Sequence, residues 1–395
     1  MKKKLRKLAA LGLSFIMICS LLTACGSTKA PEENSAQGNG AENSGNMEEE
    51  VSGERATKGE SAGDDALTVG VVIWSTDDGL GADSKKALDA VAGELGINLI
   101  YRTGSYDAEN QTTDIENLIA AGVDGIMCVV IVDTATDELL KVCEEADVDY
   151  QVFFRNIMDE EAYNYCMASD HFAGYICEDE AAAGVDMVDE LIAQGCTTFG
   201  LINREAGNGV IDRRQQGTME YLQEKGLTYY VSTNTSTATA TEMVDATDQL
   251  LAAYPDIDGL ILSSGSNGAI DAIITDLEGT DIKLTSFDTP ADIEGAFHAG
   301  NLCMLTTGAQ IDPVYALINL YCKMSGNPKS ETPTEYGSNY IYMKSAEDAQ
   351  TYEKYFGEFN TYTAEEIKAM VDMDLDSFIN EMSNYSLEMV ADKMK

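Results

Sequence analysis

Short apolar runs alternating with amphipathic helical stretches constrain this 395-residue chain more than any other feature. Residues 69–74 (VGVVIW) form one such run. Residues 83–95 then place Ala87, Leu88, Val91, Ala92 and Leu95 on one helical face, and Gly96 ends the stretch. A second strand pattern follows at 97–101. A helix at 110–121 turns Ile115, Leu118 and Ile119 inward and feeds 125–130, and a helix at 139–146 feeds 150–154. The grammar then restarts: helix 182–193 into 198–203, helix 219–224 into 227–231, helix 243–253 into 259–263, and helix 270–277 into 282–287. Short buried runs bounded by helices are the signature of parallel strands covered on both faces. Two such series, each with its own start, predict an α/β protein of two doubly wound parallel-sheet lobes.

The amino end is organised differently. A basic run (Lys2, Lys3, Lys4, Arg6, Lys7) precedes an apolar stretch ending Leu22-Thr23-Ala24-Cys25. This is a secretory signal whose small-residue site closes on a cysteine. The pattern resembles the lipobox of bacterial lipoproteins, which implies that residues 1–25 are a leader, that Cys25 carries the lipid, and that the chain sits on the outer face of the cell membrane. Residues 26–65 are Gly, Ser, Asn, Ala and Glu with few large apolar side chains. Such a composition cannot offset ordering entropy, so a disordered linker is expected. The remaining chain, roughly 330 residues, is more than one core usually supports.

Charge and cysteine usage exclude some functions. A formal net charge of −43 argues against nucleic acid, whose phosphates require Lys and Arg. Beyond Cys25, seven cysteines stand singly (Cys128, Cys143, Cys166, Cys177, Cys196, Cys303, Cys322), with no C-x-x-C pair. Most lie in or beside apolar runs, as reduced core thiols do. His171 and His298 are the only histidines, and no zinc, nucleophile-elbow or dinucleotide fingerprint occurs. The reading is a binding protein without cofactor, not an enzyme.

In doubly wound sheets, ligands bind beyond the carboxyl ends of the strands. The positions following each run are therefore candidates: 74–78, 131–133, Arg155, 203–205, 233–234, 264–268 and Asp288. Over residues 67–328 the chain also resembles the type I periplasmic binding proteins, specifically the sugar-binding lipoproteins of ABC transporters. The likeness is carried by Gln111, by Ile119-Ala-Ala-Gly-Val-Asp-Gly-Ile126, by the segment 174–184 (GYICEDEAAAG), by Arg214-Gln-Gln-Gly217, by Ser286-Phe287-Asp288 and by Asp312-Pro313, in the family's order.

The resemblance implies a three-segment hinge, with crossings near 156–165, near 288–292 and after 327. The expected partition is an N-terminal lobe of 66–157 plus 292–327 and a C-terminal lobe of 158–291 plus part of 328–345. A strand is expected at 338–343, and a helical tail at 346–395 with a capping box at Thr363-Ala-Glu-Glu366. It also implies a small polar ligand, most simply a monosaccharide, and an ABC permease as partner of a monomeric receptor. A sensor passing an autoinducer or sugar signal to a membrane kinase is the alternative of the same fold. A nucleoside receptor, with Trp74, Phe153, Phe154 and Phe172 around a base, is another.

Eight residues are candidate ligand contacts. Arg214 matches a ligand-contacting Arg of the family, and a rigid guanidinium fork suits vicinal hydroxyls; Arg213 is the adjacent alternative. Asp288 follows an apolar strand, where a carboxylate accepts two hydroxyls. Arg155 aligns with a position that often reads Asp-Arg, although Phe154 precedes it here. Trp74 offers a stacking face, and Asp77 and Asp78 offer carboxylates. Ser264 stands where relatives often carry Asn, and Gln310 resembles a Gln near the hinge. On this reading Arg214→Ala abolishes tight binding and leaves the fold intact.

Overall fold

The computed structural model describes residues 56–58, 66–77, 79–104, 107–204, 209–232, 239–265, 268–358 and 362–393. The leader, Cys25, Asp78, Glu205, Thr233 and Asn234 lie outside the described residues, as does most of the expected linker.

The first half runs β1 (Ala56–Lys58), β2 (Thr68–Val72), α1 (Gly79–Leu95), β3 (Asn98–Arg102), α2 (Ala108–Ala120), β4 (Gly125–Cys128), α3 (Thr136–Glu145), β5 (Asp149–Phe153), α4 (Glu160–Met167) and β6 (Phe172–Glu178). The second runs α5 (Glu180–Ala193), β7 (Thr198–Ile202), α6 (Gly209–Glu224), β8 (Thr228–Val231), α7 (Ala240–Ala253), β9 (Gly259–Leu262), α8 (Ala269–Asp276), β10 (Lys283–Phe287), α9 (Ile293–His298) and β11 (Leu302–Thr307). There follow α10 (Asp312–Met324), β12 (Thr334–Ser338), β13 (Ile341–Met343), α11 (Ala346–Glu358), α12 (Ala364–Asp372), α13 (Leu375–Ser383) and α14 (Leu387–Lys393).

Two sheets result, ordered β1-β3-β2-β4-β5-β6-β12 and β13-β11-β10-β9-β7-β8. All pairings are parallel except β1 on β3 and β13 on β11. Without β1, β12 and β13, each sheet has the 2-1-3-4-5 order of a doubly wound fold, with its switch between β2 and β4 and between β7 and β9. The expected architecture is present in both lobes. Strands such as β4, with every residue buried, account for the continuous apolar runs.

Local chemistry explains the helices. Asp107 caps α2 by accepting from the Asn110 backbone N–H, and buries Ile115 and Leu118 behind it. Gly70 of β2 leaves the room Leu118 fills, since a Cβ there would lie 2.7 Å from Leu118 Cδ1. The capping box at Thr363 and Glu366 forms as anticipated.

Strand pairing corrects the expected partition. β6 belongs to the first sheet, beside β5, so the first crossing falls at Glu178–Glu180 and not at 156–165. β11 pairs with β10 in the second sheet, while α10 packs on β4, β5 and β6. The second crossing therefore lies between Thr307 and Asp312, not at 288–292. The anticipated strand at 338–343 is two strands: β12 joins β6 in the first sheet, and β13 joins β11 in the second. The third crossing is the short link 339–340. β1 pairs with β3, so the linker expected over 26–65 contains a strand.

The β6–β12 contact depends on Gly174, whose φ of +118° and closeness to β12 suit no other residue; a Cβ would lie 2.1 Å from Thr334 O. A buried amide network supports it. Gln151 donates to Gly174 O (2.9 Å), Asn319 to Gln151 Oε1 (2.8 Å), and Tyr336 Oη to Asn319 Oδ1 (3.0 Å).

The tail spans both lobes. α11 packs on α9 and β13 of the second, α12 on α1 and α10 of the first, α13 on β12, and α14 on β13 and α11. Lys329 fastens it by donating to the carbonyls of Met370, Val371 and Met373 at 2.6–2.7 Å. All seven described cysteines are buried and unpaired, in keeping with core thiols.

Candidate ligand cleft

The fold brings several expected residues together at the strand ends of both lobes. Arg214, on α6, is mostly buried. Its Nε donates to Glu180 Oε2 (2.6 Å), Nη1 to Ser263 O (3.2 Å), and Nη2 to Tyr340 Oη (2.8 Å) and Glu180 Oε1 (3.4 Å). Its guanidinium carbon lies 3.8 Å from the Phe287 ring centroid, a stacked cation–π contact. Burial opposes the Arg214 charge, but Glu180 and the Tyr340 hydroxyl outweigh it and raise the guanidinium pKa.

Arg155 reaches the same region from the first lobe. Its Nε donates to Val130 O (3.2 Å) and its Nη1 to Phe154 O (2.8 Å). Burial pushes its pKa down; Glu180 opposes this, and the charge of Arg214 adds to it. Glu180 thus hydrogen-bonds Arg214 directly and acts on Arg155 through its charge.

Asp288 follows β10 with φ +68°, and its Oδ2 accepts from Ser264 Oγ (3.2 Å) and Gly265 N (2.9 Å). Its charge also acts on Arg214. Phe154 follows β5 with φ +59°. A left-handed conformation costs a non-glycine residue about 1–2 kcal/mol. Two of the three described residues of this kind therefore sit at strand ends facing the interlobe region. Trp74 lies half-buried with its ring 5.7 Å from Phe154, tilted by 50°.

Other expectations land differently. Arg213 turns away from Arg214, its Nη1 lying 3.1 Å from Met158 Sδ in the loop after β5 of the opposite lobe, so Arg214 is the inward residue of the pair. Asp77 is exposed, its backbone N–H bound to Ser75 Oγ. Gln310 is buried in a short 3-10 turn at the second crossing and donates to Tyr352 Oη of α11 (2.9 Å). Arg214 also has a structural partner, since Glu180 is 2 % exposed and pairs with it at 2.6 Å, which argues against an Arg214→Ala change that leaves the fold untouched.

Sequence reasoning missed Glu180, Phe287 as the platform under Arg214, Tyr340, and the buried acids at the crossings. Glu178 and Asp312 face each other with Ser338 Oγ donating to Asp312. Burial first, then the mutual proximity of Asp312 and Glu180, pushes Glu178 well above the usual carboxylate range. Burial likewise raises Asp312 to about 7. Among the described residues Glu178 Oε1 and Asp312 Oδ2 find no other donor, and one proton shared between the carboxyls satisfies both. Only the excess of acids in the chain hid this pair; the positions themselves flank the crossings.

The chain belongs to the periplasmic binding protein domain family, which matches residues 69–327. Its fold is that of a type I periplasmic binding protein. It is 23 % identical over 280 residues to the galactofuranose-binding protein YtfQ of Escherichia coli (strain K12), covering 68 % of this chain and 86 % of that one. Among solved structures, an ABC transporter periplasmic solute-binding protein from Actinobacillus succinogenes 130z with bound D-allose superposes with TM-score 0.63 and 16 % identity, covering 72 % and 100 % of the two chains. A Mycobacterium smegmatis protein in complex with β-D-fucofuranose gives 0.61 and 19 %, covering 78 % and 98 %.

Proposed function

We propose that this chain is the extracytoplasmic solute-binding lipoprotein of an ABC transporter, anchored through Cys25, whose lobes close on a monosaccharide. The observation that carries the reading is the convergence of Arg155 from one lobe with Arg214, Ser264 and Asp288 from the other. Fork donors and an oriented carboxylate match a ring of vicinal hydroxyls, and Trp74 supplies an apolar face. The sugars named for the relatives support the same class. Asp77, Asp78 and Gln310 complete the proposed contact set. Binding proceeds by hinge rotation, driven by the ligand's extra affinity for the closed arrangement.

The aromatic geometry disfavours a nucleoside. Trp74 and Phe154 touch one another at a tilt, Phe153 lies 5.0 Å from Phe154, and Phe172 packs on Tyr150 in the core. No pair among them forms parallel walls for a base.

A thermal-shift screen of sugars, polyols and nucleosides, followed by calorimetry, tests the assignment. A true ligand at about 100 times its Kd stabilises the native form by about 2.7 kcal/mol. A shift with nucleosides and none with monosaccharides would overturn it. Membrane fractionation of Cys25→Ala tests the anchor: the variant is expected in the soluble fraction.

A further inference from the structure

Tyr340 lies beyond the family-matched region, on the link that carries the chain from β12 in the first sheet to β13 in the second. It is 6 % exposed. Its hydroxyl donates to Glu180 Oε1 (2.9 Å) and accepts from Arg214 Nη2 (2.8 Å). Its ring meets Phe287 edge-on, 5.6 Å between centroids at 74°, and the face of Phe287 carries the Arg214 guanidinium. A guanidinium has five N–H donors. Glu180, Tyr340 and Ser263 occupy four, leaving one Nη1 hydrogen.

Three groups thus fix the guanidinium plane. Ser263 belongs to the second lobe, Glu180 opens α5 at the first crossing, and Tyr340 is mounted on the third.

We propose that Tyr340 is a positioning residue of the ligand site: it sets the plane of the Arg214 guanidinium and so aims the remaining Nη1 hydrogen at the ligand. This rests on the reading of Arg214 as a ligand contact.

The test is Tyr340→Phe in the full chain, which keeps the ring on Phe287 and removes only the hydroxyl. Tyr336→Phe is the matched control. It deletes an equally buried hydroxyl, bound to Asn319 on β12's own lobe and remote from Arg214. D-ribose, D-galactose, D-allose and D-fucose are titrated calorimetrically, and arginine Nε–H exchange is followed by nitrogen-15 NMR. The expected result is a Kd at least tenfold weaker for Tyr340→Phe, a control within twofold of wild type, and faster exchange of the Arg214 Nε–H. A Kd within twofold for Tyr340→Phe, or equal weakening in both variants, overturns the proposal. If wild type binds none of the four sugars, the monosaccharide reading fails on its own. The NMR then decides: unchanged Arg214 exchange in Tyr340→Phe overturns the positioning role, and accelerated exchange supports it.

Discussion

Arg214→Ala leaves the Glu180 carboxylate buried, with the Tyr340 hydroxyl still donating to it. Breaking a buried ion pair by removing one partner costs about 3–5 kcal/mol, because the surviving charge is desolvated without compensation. Arg155 also acts on Glu180 and offsets part of this, which places the expected loss near the lower end, about 3 kcal/mol. Adding Glu180→Gln removes the stranded charge, and the double variant is expected to recover about 2 kcal/mol of that loss. Urea unfolding with linear extrapolation measures both. A single variant within about 1 kcal/mol of wild type, or a double variant no more stable than the single, would refute the argument that Arg214 supports the fold. Arg214→Lys is the cleaner binding probe: it keeps the charge beside Glu180 but loses the fork, so affinity should drop more than stability.

The acids at the crossings predict a pH dependence. Native Asp312 holds its proton up to about 7, whereas an unfolded carboxyl releases it near 4. Between those values native Asp312 holds a proton that the unfolded chain has released, so its contribution to stability falls as pH rises and levels off above about 7. Asp312→Asn should flatten that slope. A melting-temperature difference from wild type that stays constant from about pH 4 to about pH 8 would contradict it. Gly174→Ala forces a Cβ into Thr334 O and should cost about 3 kcal/mol or more, with amide protection lost first along β12. Hydrogen exchange on β12 equal to wild type would show that the strand accommodates it.

The two-lobe architecture was legible because parallel strands covered on both faces leave compact apolar runs. β6 and β11 escaped the reading because α4 and α9 are only two turns or so long and present little helical periodicity. Their omission displaced the crossings, since which sheet a strand joins is decided by pairing across the fold. Arg214, Asp288 and Arg155 were legible as residues following strands. Glu180 was not: an acid at the first turn of α5 reads as an ordinary helix-start residue. Its burial comes from α6 packing on α5, where Gly217 and Gly184 permit close approach. Gln310 was legible as a hinge residue, but its partner Tyr352 lies on a tail whose docking no local pattern announces.

β12 and β13 both lie past residue 327, where the family match ends. A chain trimmed to the recognisable domain would lose an edge strand from each sheet at once, along with the third of the three links between them. Glu178 and Asp312 would keep each other while Ser338 vanished, and the apolar side of α10 would meet water where α12 now lies. Expression designs that cut at the domain boundary therefore remove part of the hinge itself.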